Sequence, residues 1–183
     1  KHHPKKLFIL EISEINLFNL IKKINKKDKN IVEPVLGDCN DELFLENTFK
    51  NINVDEIYHA AAYKHVNFGE ANPYSMIKNN IFGTKRIIQF AFNNKIKTFT
   101  FISSDKAVNP KSILGFSKKI GEKLLNESYL KSNNKSKLKF SVVRFGNVIG
   151  SSGSVIPIFL EQLKNKIPLT VTNKKTERYF MSI

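Results

Sequence analysis

The 183-residue chain contains no tryptophan, a single cysteine and only three arginines among its 30 basic side chains. Cys39 has no partner with which to close an internal disulfide. The histidines His2, His3, His59 and His65 share no ligand spacing with it or with a carboxylate. A disulfide scaffold is therefore excluded, and no metal centre is expected. Cys39 itself reads as a small, half-buried hydrophobe rather than a reactive thiol. No apolar run approaches the ~18 residues needed to cross a bilayer. The opening Lys1-His2-His3-Pro4 has no apolar signal-peptide core, so a cytoplasmic setting is expected, with a parent protein that could be membrane-anchored. The formal charge of +14 raises nucleic acid as a partner, but the lysines are scattered and no aromatic-basic interleaving accompanies them. Nucleic-acid binding is not expected. There is also no G-x-G-x-x-G anywhere in the chain.

What is present can build one core. Hydrophobic residues make up 41% of the chain, including 15 phenylalanines, which is too much for a disordered tail and enough for a single domain. Short apolar runs alternate with amphipathic stretches, the pattern of βαβ units. Strands are expected over residues 6–11, 31–36, 55–60, 98–104, 140–145 and 169–172. Helices are expected from a Ser13 cap to about residue 25, with Ile15, Phe18, Ile21 and Ile24 as the inner stripe, and over about 41–50. Pro73 should open a long helix to about residue 94, and further helices should run to about residue 131 and over 155–166. Residues 61–72, 105–112 and 146–154 read as loops, and 132–139 as a polar, mobile one. Strands apolar on both faces and separated by helices imply an α/β fold, a doubly wound, Rossmann-like parallel sheet. Ligands of such a sheet bind outside the carboxyl ends of the strands. Asp38, residues 60–64, residues 103–106 and residues 144–147 all fall there.

The motifs at those ends are specific. His59-Ala-Ala-Ala-Tyr-Lys-His65, Lys78-Asn-Asn-Ile-Phe-Gly-Thr84, Ser103-Ser-Asp-Lys-Ala-Val-Asn-Pro110, Arg144-Phe-Gly-Asn147 with Gly150-Ser-Ser-Gly-Ser-Val-Ile-Pro157, and Arg178-Tyr-Phe-Met181 together resemble one family. It is the UDP-N-acetylglucosamine 4,6-dehydratases of the CapD-like polysaccharide biosynthesis group, within the extended short-chain dehydrogenase/reductases. The resemblance covers essentially the whole chain. It implies residues 1–150 as an incomplete NAD(P)-binding domain and 151–183 as the start of a smaller substrate lobe. The family's first βα unit, with its glycine-rich pyrophosphate turn, is absent from the sequence, so an internal fragment of a longer, homo-oligomeric enzyme is expected. The isolated segment should bind cofactor poorly and be inactive.

The resemblance also implies roles. Removing a hexose C6 hydroxyl is difficult until C4 becomes a ketone and acidifies the C5 proton. Bound NAD(P)+ supplies that transient oxidation. Asp105 is then the general acid for the leaving C6 oxygen and Lys106 the general base for H5, with the acid's pKa raised and the lysine's lowered by burial. Ser104 bonds the C4 oxygen, while Ser103 points into the sheet. Lys118, four residues beyond Leu114, reaches the nicotinamide ribose. Leu114 stands where short-chain dehydrogenases commonly carry the catalytic tyrosine, which leaves the proton acceptor of the oxidation unnamed. On the cofactor side, Glu11 chelates the adenosine ribose and favours NAD over NADP. Asp38 and Cys39 lie against the adenine, and Ala60, Ala61 and Ala62 let the chain pass close. Asn80, with Thr84 packed beside it, steadies the active-site helix. For the UDP-sugar, Asn147, Ser151, Ser154, Val155 and Arg178 surround the diphosphate side, an arginine fork being suited to it. Lys64 and His65 are placed to approach the sugar or its phosphates, with a plain loop-surface role as the alternative.

Leu114, aligned with methionine-bearing members, favours retention at C5. Inversion and a 4-epimerase are the alternatives within the class, although Asp105-Lys106 is elimination machinery an epimerase does not need. A non-catalytic Rossmann-type scaffold is the alternative of another class. It would account for Leu114 and the missing glycines.

Overall fold

The computed structural model describes residues 3–131, 138–151, 153–171 and 177–182. In chain order it runs β1 (Leu7–Glu11), α1 (Glu14–Lys23), β2 (Val32–Leu36), α2 (Glu42–Phe49), β3 (Glu56–His59), α3 (Val66–Ala71), α4 (Pro73–Ile77), α5 (Gly83–Asn93), β4 (Thr98–Ser104), α6 (Ile113–Lys131), β5 (Lys139–Phe145), β6 (Asn147–Val148), α7 (Val155–Lys164) and β7 (Phe180–Met181). A π-helical turn, Lys78–Phe82, joins α4 to α5, and a 3-10 turn, Asp105–Ala107, follows β4. Caps set the early helices. Ser13 accepts from the Asn16 amide and Asp41 from the Phe44 amide, so each satisfies a donor the helix leaves unpaired.

Every strand pair is parallel, as the alternation of strands and helices requires. β1 pairs with β2, and β3, β4 and β5 form a second group in that order. Among the described residues the sheet is divided between β1 and β3. In a doubly wound sheet of order 3-2-1-4-5 the first strand lies between the second and the fourth. With β1, β2 and β3 taken as the second, third and fourth strands, the division falls at the place of the first.

One aromatic-rich core nevertheless joins the two groups. Phe8 of β1 meets Phe49 of α2 edge-on at 5.6 Å between centroids, and Phe49 meets Phe90 of α5 at 5.9 Å. Such contacts add about 0.5–1.5 kcal/mol beyond their burial. Arg86 of α5 also pairs with Glu42 of α2 at 2.9 Å. Along β4 the side chains alternate: Phe99, Phe101 and Ser103 are buried beneath α5 and α6, while Thr98, Thr100, Ile102 and Ser104 are half-buried on the other face.

Several expectations shift. The inner stripe of α1 is Leu17, Ile21 and Ile24, at i, i+4 and i+7. Ile15 and Phe18 are 71% and 59% exposed, because three-residue spacing drifts off a face with 3.6 residues per turn. The expected loop 61–72 contains α3, a helix too short to show periodicity. The long helix from Pro73 forms but is interrupted by the π turn. Residues 169–171 lie in no ladder, and Thr172 of that expected strand is outside the described residues. Of the expected mobile loop 132–139, residues 132–137 are also outside them, and Lys139 begins β5. β6 and β7, two residues each, give no sequence signal.

Candidate active site

At the carboxyl end of β4 three consecutive residues turn onto one another. The Ser104 hydroxyl donates to Asp105 Oδ1 at 2.9 Å and accepts from the Lys106 amide at 3.3 Å, while Lys106 Nζ pairs with the same carboxylate oxygen at 3.0 Å. The Lys106 and Asp105 side chains are only 22% and 30% exposed. They lie at the mouth of the sheet and not in bulk solvent. Partial burial pushes the Asp105 carboxyl up. The Lys106 ammonium and the Ser104 hydroxyl outweigh it and hold the acid below its ordinary value. The raised acid expected from the sequence needs burial to outweigh this ammonium, and in the folded chain alone it does not.

The turn is gripped by α6. A Cβ on Gly115 would lie 2.5 Å from the Lys106 carbonyl oxygen and 3.2 Å from Pro110, so only glycine lets the helix start this close. Gly115→Val is expected to cost about 1–3 kcal/mol by overpacking, read as a lowered urea midpoint. Wild-type stability would contradict the close contact.

One face of α6 then reads the end of β4. Lys118, 7% exposed, donates from Nζ to the Ile102 carbonyl at 2.8 Å and lies 4.9 Å from the centre of the Phe101 ring. Burial pulls its pKa down to about 8. His59 of β3 stacks on Phe101 at 5.7 Å and shares a 2.9 Å hydrogen bond with the Thr84 hydroxyl. Burial first, then the Lys118 charge, lowers His59 to about 3. It is therefore a neutral imidazole at physiological pH.

The π turn places Asn80 inward, 2% exposed. Its carbonyl oxygen accepts from the Tyr63 amide at 2.8 Å, and its amide nitrogen donates to the Tyr63 carbonyl and the Ser117 hydroxyl, both at 3.0 Å. Asn80 thus ties the loop after β3 to α6 beside Lys118. Its side-chain amide, expected on the cofactor side, is engaged by these protein groups. Thr84 donates to the Asn80 carbonyl at 2.6 Å. Leu114, at the expected tyrosine position, is buried at 4%.

The other sequence-identified residues fall into two groups. On the β5 side, the Asn147 backbone amide donates to the Tyr179 carbonyl at 2.8 Å, and pairing of β6 with β7 sets Asn147 opposite Phe180, two residues beyond Arg178. Gly153, at φ +67°, approaches His65 so closely that a Cβ would fall 2.6 Å from its ring. The loop carrying Ser151 and Ser154 therefore meets the segment carrying Lys64 and His65. Ser154 precedes α7, and its buried hydroxyl has no hydrogen-bond partner among the described residues. Val155 begins α7 and is 39% exposed.

On the β1–β2 side, Glu11 ends β1 and accepts from the Ser13 amide at 2.9 Å, and Asp38 accepts from the Asn40 amide at 2.8 Å. Cys39 is buried in the core. Its burial, and then the Asp38 charge, raise the thiol to about 11, which leaves it unreactive. These residues stand apart from the β4 cluster, across the division in the sheet. Ala60 and Ala61, just past β3, are exposed and Ala62 half-buried.

Sequence reasoning gave no role to Glu122 or Ser117, and placed Arg144 only within a strand-end motif. Glu122 accepts from Ser103 Oγ at 2.7 Å and takes a two-pronged contact from Arg144, Nε at 2.8 Å and a terminal nitrogen at 2.7 Å. The available signal was its place four residues after Lys118 on one helix face.

Comparison with known proteins gives the same picture. The sequence profile of the polysaccharide biosynthesis protein family matches residues 1–183. The capsular polysaccharide biosynthesis protein CapD of Staphylococcus aureus is 39% identical over 100% of this chain and 30% of its own length. The UDP-N-acetylglucosamine 4,6-dehydratase (inverting) of Campylobacter jejuni is 34% identical over 100% of this chain and 53% of its own. The X-ray structure of Pen from Bacillus thuringiensis superposes with a TM-score of 0.88 at 36% identity, over 98% of this chain and 53% of that one. The chain thus spans about a third to a half of the length of these proteins. Matched along its whole length by the family profile, the chain belongs to the polysaccharide biosynthesis protein family.

Proposed function

We propose that the protein to which this chain contributes is a nucleotide-sugar 4,6-dehydratase, a hydro-lyase that converts UDP-GlcNAc to a UDP-4-keto-6-deoxy sugar for polysaccharide synthesis. One observation carries the proposal: Ser104, Asp105 and Lys106 form a hydrogen-bonded, largely desolvated acid–amine cluster at the end of β4, beside Lys118. Elimination across C5–C6 needs one group to take a proton and another to give one, within reach of the same sugar ring.

The residues present fit part of a dinucleotide cofactor. Lys118 and the small Ala60–Ala62 segment suit the nicotinamide half, and the half-buried Glu11 carboxylate suits the adenosine ribose and favours NAD. The sequence holds no glycine-rich turn for the pyrophosphate. When bound, the cofactor supplies a reversible hydride acceptor for C4 and a donor for C6. The chain's own residues do the rest. The Ser104 hydroxyl holds the C4 oxygen, whose proton leaves to solvent; Lys106 takes H5, Asp105 protonates the leaving C6 oxygen so that water departs, and a solvent-exchanged proton returns through Lys106 to C5 as C6 becomes a methyl group. Only the neutral forms can do this. In the ion pair the proton sits on Lys106, and a substrate packed over the pair removes its remaining hydration. Drying favours moving the proton from ammonium to carboxylate, which leaves an acid at Asp105 and a free amine at Lys106. On the far side of the ring, Arg178, Asn147 and the 151–155 loop receive the diphosphate, with Lys64 and His65 nearer the sugar.

Retention at C5 is the favoured stereochemistry on the strength of Leu114. Inversion is the second reading, favoured by the similarity to the inverting dehydratase of Campylobacter jejuni. Proton NMR of UDP-GlcNAc incubated with the full-length gene product and NAD+ tests both. A 4-keto-6-deoxy product is expected, with its C5 configuration readable from ring couplings. A C4 epimer, or unchanged substrate with cofactor bound, would overturn the dehydratase assignment.

A further inference from the structure

Glu122 lies where three parts of the proposed site converge, and it touches none of the groups assigned to the chemistry. Its side chain is 11% exposed. Ser103 on β4 and Arg144 on β5 are register partners on neighbouring parallel strands, so they stand side by side on the face that α6 covers. Glu122 straddles them. One oxygen accepts from Ser103 Oγ and Arg144 Nε, and the other from an Arg144 terminal nitrogen, all within 2.8 Å. One helical turn earlier, Lys118 holds the Ile102 carbonyl. Two adjacent residues at the end of β4 are therefore fastened by two residues one turn apart on α6. The next residues along β4 are Ser104, Asp105 and Lys106. The residues after Arg144 lead directly to Asn147.

We propose that Glu122 is a positioning residue, which fixes the Asp105–Lys106 turn, Lys118 and the Asn147 segment relative to one another through its paired contacts with Ser103 and Arg144. A carboxylate suits the task because it can accept a hydroxyl and an arginine fork together. The Arg144 guanidinium holds the Glu122 carboxyl below its ordinary value against the opposing effect of burial, so the knot stays ionised through the neutral range. Glutamine can keep the Ser103 bond and the shape but not the fork.

This inference rests on the dehydratase proposal only for its kinetic arm. In the full-length protein, Glu122→Gln should lower kcat for UDP-GlcNAc by about 10- to 100-fold, the scale expected when reacting groups are misplaced by a fraction of an ångström. A second arm needs no turnover. Acetic anhydride labelling of Lys118, read by mass spectrometry against the neighbouring Lys119, should rise several-fold once α6 is no longer clamped to β4. Ser103→Ala removes a single hydroxyl and should give a smaller change in the same direction, which keeps the test open if the glutamine variant folds poorly. Raised Lys118 labelling with lowered kcat supports the proposal. Unchanged labelling, or raised labelling with wild-type kcat, overturns it. Should the wild type make no 4-keto product, the dehydratase assignment fails and the labelling arm alone decides whether Glu122 sets the placement of Lys118.

Discussion

Lys106→Met should leave oxidation of UDP-GlcNAc at C4 in place and lower formation of the 4-keto-6-deoxy product by about 10²- to 10⁴-fold, the contribution of a positioned general base. Lys106 is the amine partner of the pair, and methionine keeps the bulk of its stem while removing the nitrogen that would take H5. The substitution also removes the nearest cation of Asp105, and with it the proton that the pair would pass to the carboxylate, so both halves of the elimination are lost while the oxidation is not. The two half-reactions should therefore separate. Mixing the variant with substrate should give the absorbance of reduced nicotinamide on the protein, followed by little or no product in a single turnover. Product at the wild-type rate would remove Lys106 from the mechanism. Loss of the reduced nicotinamide signal as well would place Lys106 in the oxidation step instead.

Lys118→Met should lower turnover by about 10²-fold or more, and its effect on stability should depend on pH in a calculable direction. Folding pulls Lys118 from its ordinary value of 10.5 to about 8, so the unfolded chain binds more protons than the folded one between those values. Stability from this group therefore rises with pH across that window, and below pH 8 the buried ammonium is a standing penalty of about 3 kcal/mol. Methionine removes the penalty together with the hydrogen bond to Ile102, whose lost donor costs about 1–3 kcal/mol at any pH. The other lysines titrate alike in both proteins, so the difference between variant and wild type isolates Lys118. In urea unfolding the variant should lose about 3 kcal/mol relative to the wild type as pH rises from 8 to 10.5. A difference that stays flat with pH would mean that the Lys118 amine is hydrated rather than buried against Phe101.

Much of this was legible in the sequence because it rests on local patterns. The strand at residues 98–104 was set by its β-branched and aromatic run, and its alternation was enough to separate Ser103 from Ser104. Pro73 marked the helix start. The chemistry of positions 105 and 106 was legible as residue type and strand-end placement. The relations among elements were not. The π turn that turns Asn80 inward has no composition of its own, and β6 and β7 are too short to carry a period. The Glu122–Arg144–Ser103 knot joins residues 19 and 22 positions apart, so only the parallel register of β4 and β5 brings it together. The direction of the Asp105 carboxyl depends on geometry in the same way. Burial can be inferred from a sequence, whereas the direction of a neighbouring ammonium is a matter of three-dimensional geometry.

The most direct measurement uses UDP-GlcNAc carrying deuterium at C4, incubated with the full-length protein and unlabelled NAD+. If a hydrogen leaves C4 and returns to C6 after the acid–amine pair has expelled water, the label must appear in the C6 methyl group, with a solvent-derived hydrogen at C5. Deuterium retained at C4 of an epimerised or unchanged sugar would show that the pair at the end of β4 carries out no elimination.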